Sequence, residues 1–168
     1  MTYFLEMIII LVSALMSPLS SSVGGLQTSQ RDTQRMDDLA RVIVAANTYQ
    51  TNNNGKTPWN KGSTDKNFVR RYIDADCSTT DGINYSCGDS VQFADPDGTT
   101  YKMRYVGSLN SSASSTFAGG SKLDHTFYVY TYASCGDDEG TVQKGTGERQ
   151  YAIMYRLESG GIACNDNH

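Results

Sequence analysis

The sequence opens on an apolar run that holds a single acid: Tyr3-Phe4-Leu5-Glu6-Met7-Ile8-Ile9-Ile10-Leu11-Val12. Apolar residues continue to about position 19, whereas the rest of the chain is far more polar. A carboxylate in hydrocarbon without a partner is costly, so a segment of this kind keeps its acid for a reason. We expect the partner of Glu6 to come from another copy of the same chain.

Three interpretations of this N-terminal segment are open. As a secretory signal it lacks the basic residues that normally precede the apolar part. As an ordinary membrane span, residues 3–19 would cover roughly 25 Å as a helix, which is less than the usual hydrocarbon thickness. The third interpretation is a segment that lies in a membrane first and later packs against copies of itself.

A helix-weakening stretch follows the apolar run. Residues 17–25 contain Pro18 and the adjacent Gly24 and Gly25, so we expect the N-terminal helix to loosen there. Helical periodicity then resumes over residues 28–51, and the charged residues of this segment are expected on its other faces. Its expected packing residues recur at spacings of three and four: Met36, Leu39, Ile43, Ala46 and Tyr49. The run of asparagines ending at Gly55 provides the stop signal.

The second half of the chain has the alternation of β-strands. Three runs, at residues 101–105, 127–132 and 151–157, alternate with period two and predict an antiparallel sheet over about residues 90–164. Asp95-Pro96-Asp97-Gly98 is the expected turn before the first strand, and a tail strand is expected at 161–164. A short helix is expected at 66–73. The predicted fold class is α+β, with a long N-terminal helix packed on a small antiparallel sheet.

Two domains follow from this pattern: an apolar stem, residues 1–25, and a globular head, residues 26–168. The four cysteines favour an oxidising compartment and two disulfides, for which three connectivities exist. We favour Cys77 with Cys87, which closes a short loop, and Cys135 with Cys164, which joins the ends of two strands.

Charge and motifs argue against two classes of function. The formal net charge is -4, so there is no basic footprint for a nucleic-acid site. Hydrolase, zinc-protease and phosphate-loop motifs are absent from the sequence, so we expect a protein that is not an enzyme and has no cofactor. Asp137, Asp138 and Glu139 are candidate calcium ligands, although a solvated acidic turn is the better interpretation.

Several motifs together resemble the type IV pilins and the related pseudopilins. The apolar helix with one early glutamate is the most specific of them, and the C-terminal motifs are less specific. The resemblance is carried by Phe4-Leu5-Glu6-Met7-Ile8-Ile9, Arg31-Asp32-x-x-Arg35-x-x-Asp38-Leu39, Tyr49 ahead of Asn52-Asn53-Asn54-Gly55, Asp95-Pro96-Asp97-Gly98-Thr99-x-Tyr101, and Tyr155-Arg156-Leu157-Glu158-Ser159-Gly160-Gly161 with Cys164.

The resemblance implies a homopolymer held together through N-terminal helices, with Glu6 as the assembly residue. It also implies that the N-terminal helix spans the inner or cytoplasmic membrane before assembly. A prepilin peptidase would cleave the chain, and the new N-terminus would be methylated. That terminus is either Met1 or Thr2, because Glu6 lies one residue later than the family pattern. The apolar positions expected between copies are Phe4, Leu5, Ile8, Ile9, Leu11, Val12 and Leu15.

The implied function is that of a type IV pilus (fimbrium) subunit in a filament on the cell surface. Such filaments serve adhesion, twitching motility or DNA uptake, and their partners are the pilus assembly machinery and a receptor on a host or neighbouring cell. One alternative is a type II secretion-like pseudopilin or a minor pilin. Another is a membrane-anchored adhesion or carbohydrate-binding domain, for which the 11 tyrosines offer stacking surfaces, although sheet packing is their commoner use.

Overall fold

The computed structural model describes the backbone of residues 2–60, 63–79, 81–84, 86–87, 93–112 and 114–167. Within these ranges it describes side chains from residue 24 onward, except at positions 60, 63, 86 and 87. The architecture is α+β, as predicted. One long helix, α1 (Thr2–Asn52), lies on a four-stranded sheet that a second, smaller sheet covers from behind.

The main sheet has four strands and the smaller sheet has three. In chain order the elements after α1 are β1 (Trp59–Asn60), β2 (Ser63–Thr64), α2 (Phe68–Tyr72), β3 (Cys77–Ser78), β4 (Ser86–Cys87), β5 (Lys102–Ser108), β6 (Ser114–Thr116), β7 (Thr126–Thr131), β8 (Ala133–Cys135), β9 (Thr141–Lys144), β10 (Tyr151–Arg156) and β11 (Ile162–Asp166). The strand order is β11-β10-β7-β5 in the main sheet and β6-β9-β8 in the smaller one. β1 pairs with β2, and β3 pairs with β4.

The main sheet is mixed, so the expectation of a wholly antiparallel sheet is wrong at one strand. β10 is antiparallel to both β7 and β11, but β5 runs parallel to β7. The cause is the connection between β5 and β7, residues 109–125, which leaves the main sheet and contributes β6 to the smaller sheet. A connection longer than about a dozen residues is sufficient for such a parallel crossover.

Both faces of the main sheet are buried at its two central strands, β7 and β10, whereas Lys102, Arg104 and Val106 of β5 are exposed. All residues of β7 are buried, and their side chains divide between two cores. Phe127 and Val129 pack in the core on the side of α1, whereas Tyr128 and Tyr130 pack in the core beneath the smaller sheet. The alternation predicted from sequence is therefore real, but at β7 and β10 each face is covered, which leaves most of the strand tyrosines inside the protein.

Helix α1 is continuous through residues 17–25, so the expected loosening at that stretch is wrong. An interior proline costs about 3 kcal/mol and a glycine about 1 kcal/mol relative to alanine. Ending the helix and starting another would require a new nucleus, which is unfavourable by a factor of about 10⁻³. The two costs are of similar size, about 5 kcal/mol for the three residues and about 4 kcal/mol for a new nucleus, so these propensities by themselves do not account for the continuous helix.

The other expected elements lie close to their predicted places. The expected head helix, 28–51, lies within α1, which ends at Asn52, and the Gly55 N–H donates to the Gln50 carbonyl at 2.7 Å. Asn54 and Gly55 have φ of 57° and 79°, the left-handed conformation that stops a helix. The short helix at 66–73 is α2, and the tail strand at 161–164 is β11.

Within the part of the chain that the structure describes, no helix is both long and apolar enough to cross a bilayer. The structure does not describe the side chains of the stem positions that are expected at contacts between copies. The same is true of the position expected to be processed at the N-terminus. These are Met1, Thr2, Phe4, Leu5, Glu6, Ile8, Ile9, Leu11, Val12 and Leu15.

Candidate functional site

An ionic cluster with a buried centre fastens α1 to the head. Its centre is Arg35, whose side chain is 1% exposed. Nε of Arg35 donates to Oδ2 of Asp95 at 2.7 Å, and Nη2 donates to Oδ1 at 2.7 Å, so the two planar groups meet in a bidentate pair. Tyr155 on β10 donates its hydroxyl to the same carboxylate at 2.8 Å. The cluster therefore joins the helix, the turn at residues 95–98 and the main sheet.

Glu158, in the turn between β10 and β11, is the second anchor of this cluster. Nη1 of Arg35 donates to Glu158 at 2.9 Å, and Nε of Arg31 donates to the same carboxylate at 2.7 Å. At Asp32 the helix side chain is the acceptor: its carboxylate accepts hydrogen bonds from the backbone N–H groups of Glu158 and Ser159 at 2.8 and 3.0 Å. We call Arg31, Asp32, Arg35, Asp95 and Glu158 the junction cluster.

The electrostatics of the junction cluster favour the ionised forms. Burial by itself would raise the pKa of Asp95, but hydrogen bonds from Arg35, the Asp97 N–H and Tyr155 hold that pKa at about 2. Hydrogen bonds from Arg31 and Arg35 lower the pKa of Glu158 to about 2. The hydrogen bond to Asp95 raises the pKa of Arg35 further above its usual value. The cluster is thus charged at neutral pH.

A second buried acid lies one turn further along α1. Asp38 accepts the hydroxyl of Tyr101 at 2.9 Å, and burial raises the pKa of this carboxyl group. Burial also raises the pKa of Tyr101, with the neighbouring Asp38 charge as the next cause. Among the described residues no cation forms a bidentate pair with Asp38 as Arg35 does with Asp95, so the charge of Asp38 is costly in the fold.

Sequence reasoning missed this site because it placed the charged residues of α1 on solvated faces. The structure instead buries Asp32, Arg35 and Asp38 together with the apolar residues, while Met36 is 45% exposed and was wrongly expected in the core. The missed signal is the spacing: the buried face continues at intervals of three and four through Asp32, Arg35, Leu39, Val42 and Ala46.

Asp95 also belongs to a group of side chains with metal-ligand chemistry. Ligand atoms of Asp95, Asp97 and His125 lie within 4.8 Å of one another. Both oxygens of Asp95, however, already accept hydrogen bonds from the Arg35 guanidinium. The fixed positive charge of Arg35, which is bonded to the same carboxylate, would repel a metal cation there. Ion pairing with Arg35 therefore explains the placement of Asp95 better than metal binding does.

The expected calcium ligands lie in the turn between β8 and β9. The Glu139 carboxylate accepts the N–H of Ile162 at 2.7 Å, which ties this turn to the start of β11. The backbone carbonyl of Asp138 accepts a hydrogen bond from the Thr141 hydroxyl within the same turn. Calcium binding at Asp137, Asp138 and Glu139 remains a prediction.

The predicted disulfide between Cys135 and Cys164 is present, with the two Cα atoms 5.9 Å apart. It joins β8 of the smaller sheet to β11 of the main sheet. Cys77 is also disulfide-bonded, and the β3–β4 register places Cys77 opposite Cys87. The side chain of Cys87 lies outside the described ones, so the pairing of Cys77 with Cys87 stays a prediction.

Comparisons of the chain with protein-family models, with curated proteins and with solved structures gave no match.

Proposed function

We propose that the chain is a structural subunit that polymerises into a type IV pilus filament. The observation that carries this proposal is the extension of α1 beyond its head. Residues 24–30 are exposed apart from the half-buried Thr28, and the helix continues from there to Thr2. A helix of 51 residues is about 76 Å long, so its N-terminal part projects well past the sheet.

The apolar sequence of that projecting part supports assembly with copies of the same chain. A projecting helix with the sequence of residues 3–12 exposes apolar surface unless lipid or another protein covers it. Packing against identical helices by a repeated screw operation would bury this surface in an open filament. Before assembly, a membrane would cover the same residues.

Glu6 supplies the specificity of such packing. Inside a bundle of identical helices its carboxylate would be desolvated, and a free α-amino group of its own or a neighbouring chain would offset much of that cost. A subunit in the wrong register would leave the charge unpaired, so Glu6 would favour one arrangement of copies.

The junction cluster supports a load-bearing role for the head. Tension on a filament would act on α1, so the head stays attached only if its contacts with the helix withstand that force. The bidentate pair of Arg35 with Asp95 and the contacts of Arg31 and Asp32 with the turn at residues 158–159 hold the helix to the sheet where the projecting part begins. This is where a stem and a head need a firm connection.

The test compares filament yields in cells that carry the assembly machinery. We expect Glu6→Ala and Glu6→Leu to give folded heads, with the disulfides formed, but few filaments in sheared surface material. Glu148→Ala, at an exposed acid of the head, is the matched control and should assemble normally. Normal filament yield from both Glu6 variants would overturn the assembly role. Fibre length tests the alternative class, because long surface fibres exclude a short secretion pseudopilus.

A further inference from the structure

A polar cleft lies at the end of the head where α1 stops, far along the helix from the projecting stem. Its volume is about 560 Å³, within the range of about 300–1,000 Å³ typical of small-molecule sites. Its walls come from the residues that follow α1, the end of β5, the β7–β8 junction and the turn before β10. The cleft is thus built from several segments that the sheet holds in place.

Two tyrosine rings line this cleft without the aromatic partners that are common elsewhere in the head. Tyr105 and Tyr132 are both half-buried. None of the ring–ring contacts among the described aromatic residues involves either of them. Tyr105 packs part of its ring against the core, and the half-buried Tyr132 lies outside both core clusters, so each ring offers partly exposed surface at the cleft, whereas the rings of Tyr101, Tyr151 and Tyr155 are buried in the core.

Several polar side chains that line the cleft with the two rings are free to form hydrogen bonds with a ligand. Within the described part of the chain, the side chains of Lys56, Asn110 and Glu148 make no hydrogen bond or ion pair. The Arg149 guanidinium lies against Gly55, where an added Cβ would come within 2.4 Å of its Nε. Amide, carboxylate and cationic groups thus surround the rings with both donors and acceptors.

The backbone at Tyr132 is held in an uncommon conformation. Its φ is 54°, in the left-handed region that bulky residues seldom adopt. Two backbone hydrogen bonds fix it, from the Tyr132 N–H to the Gln150 carbonyl at 2.7 Å and from the Gly145 N–H to the Tyr132 carbonyl at 2.8 Å. Glycine would fit this position without strain, so the tyrosine side chain is kept there at a cost.

We propose that this cleft binds a short oligosaccharide. A sugar ring has an apolar C–H face, which packs on an aromatic ring, and an edge of hydroxyl groups that both donate and accept hydrogen bonds. Tyr105 and Tyr132 provide the aromatic surfaces, and Asn110, Glu148 and Arg149 provide the polar partners. The site goes beyond filament assembly and does not depend on it, because the described residues that line the cleft all belong to the head.

The chain contains its own reporter for this binding. Trp59 is the single tryptophan, and it lines the cleft. The experiment titrates the purified full chain in mild detergent with chitotriose, N-acetyllactosamine, maltotriose and sialyllactose while tryptophan fluorescence is recorded. We expect a saturable change with at least one of the four. No saturable change with any of them up to about 10 mM would overturn the proposal.

Substitutions then locate the site. Tyr132→Gly removes the ring and relieves the left-handed strain, so we expect a fold at least as stable as that of the original chain and binding weaker by roughly tenfold or more. Arg149→Ala should also weaken binding, whereas the matched control Arg70→Ala, on an exposed face of α2, should not.

Unchanged binding by both Tyr132→Gly and Arg149→Ala would overturn the assignment to this cleft. A saturable response to a tyrosine-rich peptide with none to the saccharides would overturn the ligand class. The outcome is separable from that of the filament test, because the Glu6 variants are expected to bind saccharide normally even when they fail to assemble.

Discussion

Arg35 on the helix and Asp95 in the turn before the sheet form a bidentate ion pair, with both N···O distances at 2.7 Å and with side chains 1% and 0% exposed. The two residues are 60 positions apart in the chain. Their pairing fixes where the helix lies on the head. Because both charges are out of water, Asp95 depends on Arg35 for its counter-charge, whereas Arg35 also pairs with Asp32 and Glu158.

Removing the cation should therefore be costly. We expect Arg35→Met to lower the free energy of unfolding by about 3–5 kcal/mol, because Asp95 is left buried without its counter-charge. Guanidinium denaturation of the full chain in mild detergent would measure this loss.

A double substitution separates the charge effect from lost packing. Arg35→Met combined with Asp95→Asn should lose less stability than the sum of the two single changes, with a coupling of about 1 kcal/mol or more. The exposed Arg70→Met is the control and should change stability by less than about 0.5 kcal/mol. Strict additivity of the two cluster substitutions would show that the pair does not act as a unit.

Acid should weaken the junction cluster. The pKa values of Asp95 and Glu158 are both lowered to about 2 from their ordinary values of 3.8 and 4.5, so the folded state binds protons less readily than the unfolded chain. Their contribution to stability is complete above about pH 5 and is lost as the pH falls toward 2, with on the order of 2 kcal/mol from Asp95. Unfolding curves across this pH range would measure it, and a flat profile would contradict it.

Asp38 should behave in the opposite sense. Its pKa is raised by burial, so the stability it contributes is greatest at low pH and is lost as the pH rises through its folded pKa. We expect Asp38→Asn to stay within about 1 kcal/mol of the original chain at pH 7, because the amide oxygen can still accept the Tyr101 hydroxyl. Asp95→Asn, measured in parallel, should lose clearly more; equal losses would mean that the two acids play the same part.

The disulfide between Cys135 and Cys164 closes a loop with a sequence separation of 29. In the chain-entropy model, opening such a loop costs roughly 3–4 kcal/mol. We expect Cys135→Ala with Cys164→Ala to lower the melting temperature of the head while the fold is retained. Thermal unfolding followed by circular dichroism would test this, and an unchanged melting temperature would show that β8 and β11 are held together without the bond.

Gly24 and Gly25 lie in the exposed part of α1, and an added Cβ at either position meets nothing within 4 Å. Gly24→Ala with Gly25→Ala should therefore stabilise the helix by about 1 kcal/mol per site without disturbing the head. Slower amide hydrogen exchange around residues 20–28 is the expected measurement. If exchange there is unchanged, the two glycines do not limit the local stability of the helix.

Local pattern predicted much of the fold. The period of three and four over residues 28–51 placed the head part of α1, and Asn54 with Gly55 marked its end. The alternation at residues 151–157 placed β10, since period two is a property of the strand itself. The direction of β5 was not predictable in this way, because it depends on where the chain goes between residues 109 and 125.

The sequence by itself determined the helix over residues 28–51, the strands β5, β7, β10 and β11, the turn at residues 95–98 and the apolar N-terminal segment with its one acid, because composition and short-range spacing control these features. Only the tertiary structure decided which charged residues of α1 would be buried. Arg35 meets Asp95 and Glu158 at separations of 60 and 123 residues, and no local period encodes such partners. Burial of a charge depends on whether the folded chain brings a counter-charge to it, and that is a property of the whole fold.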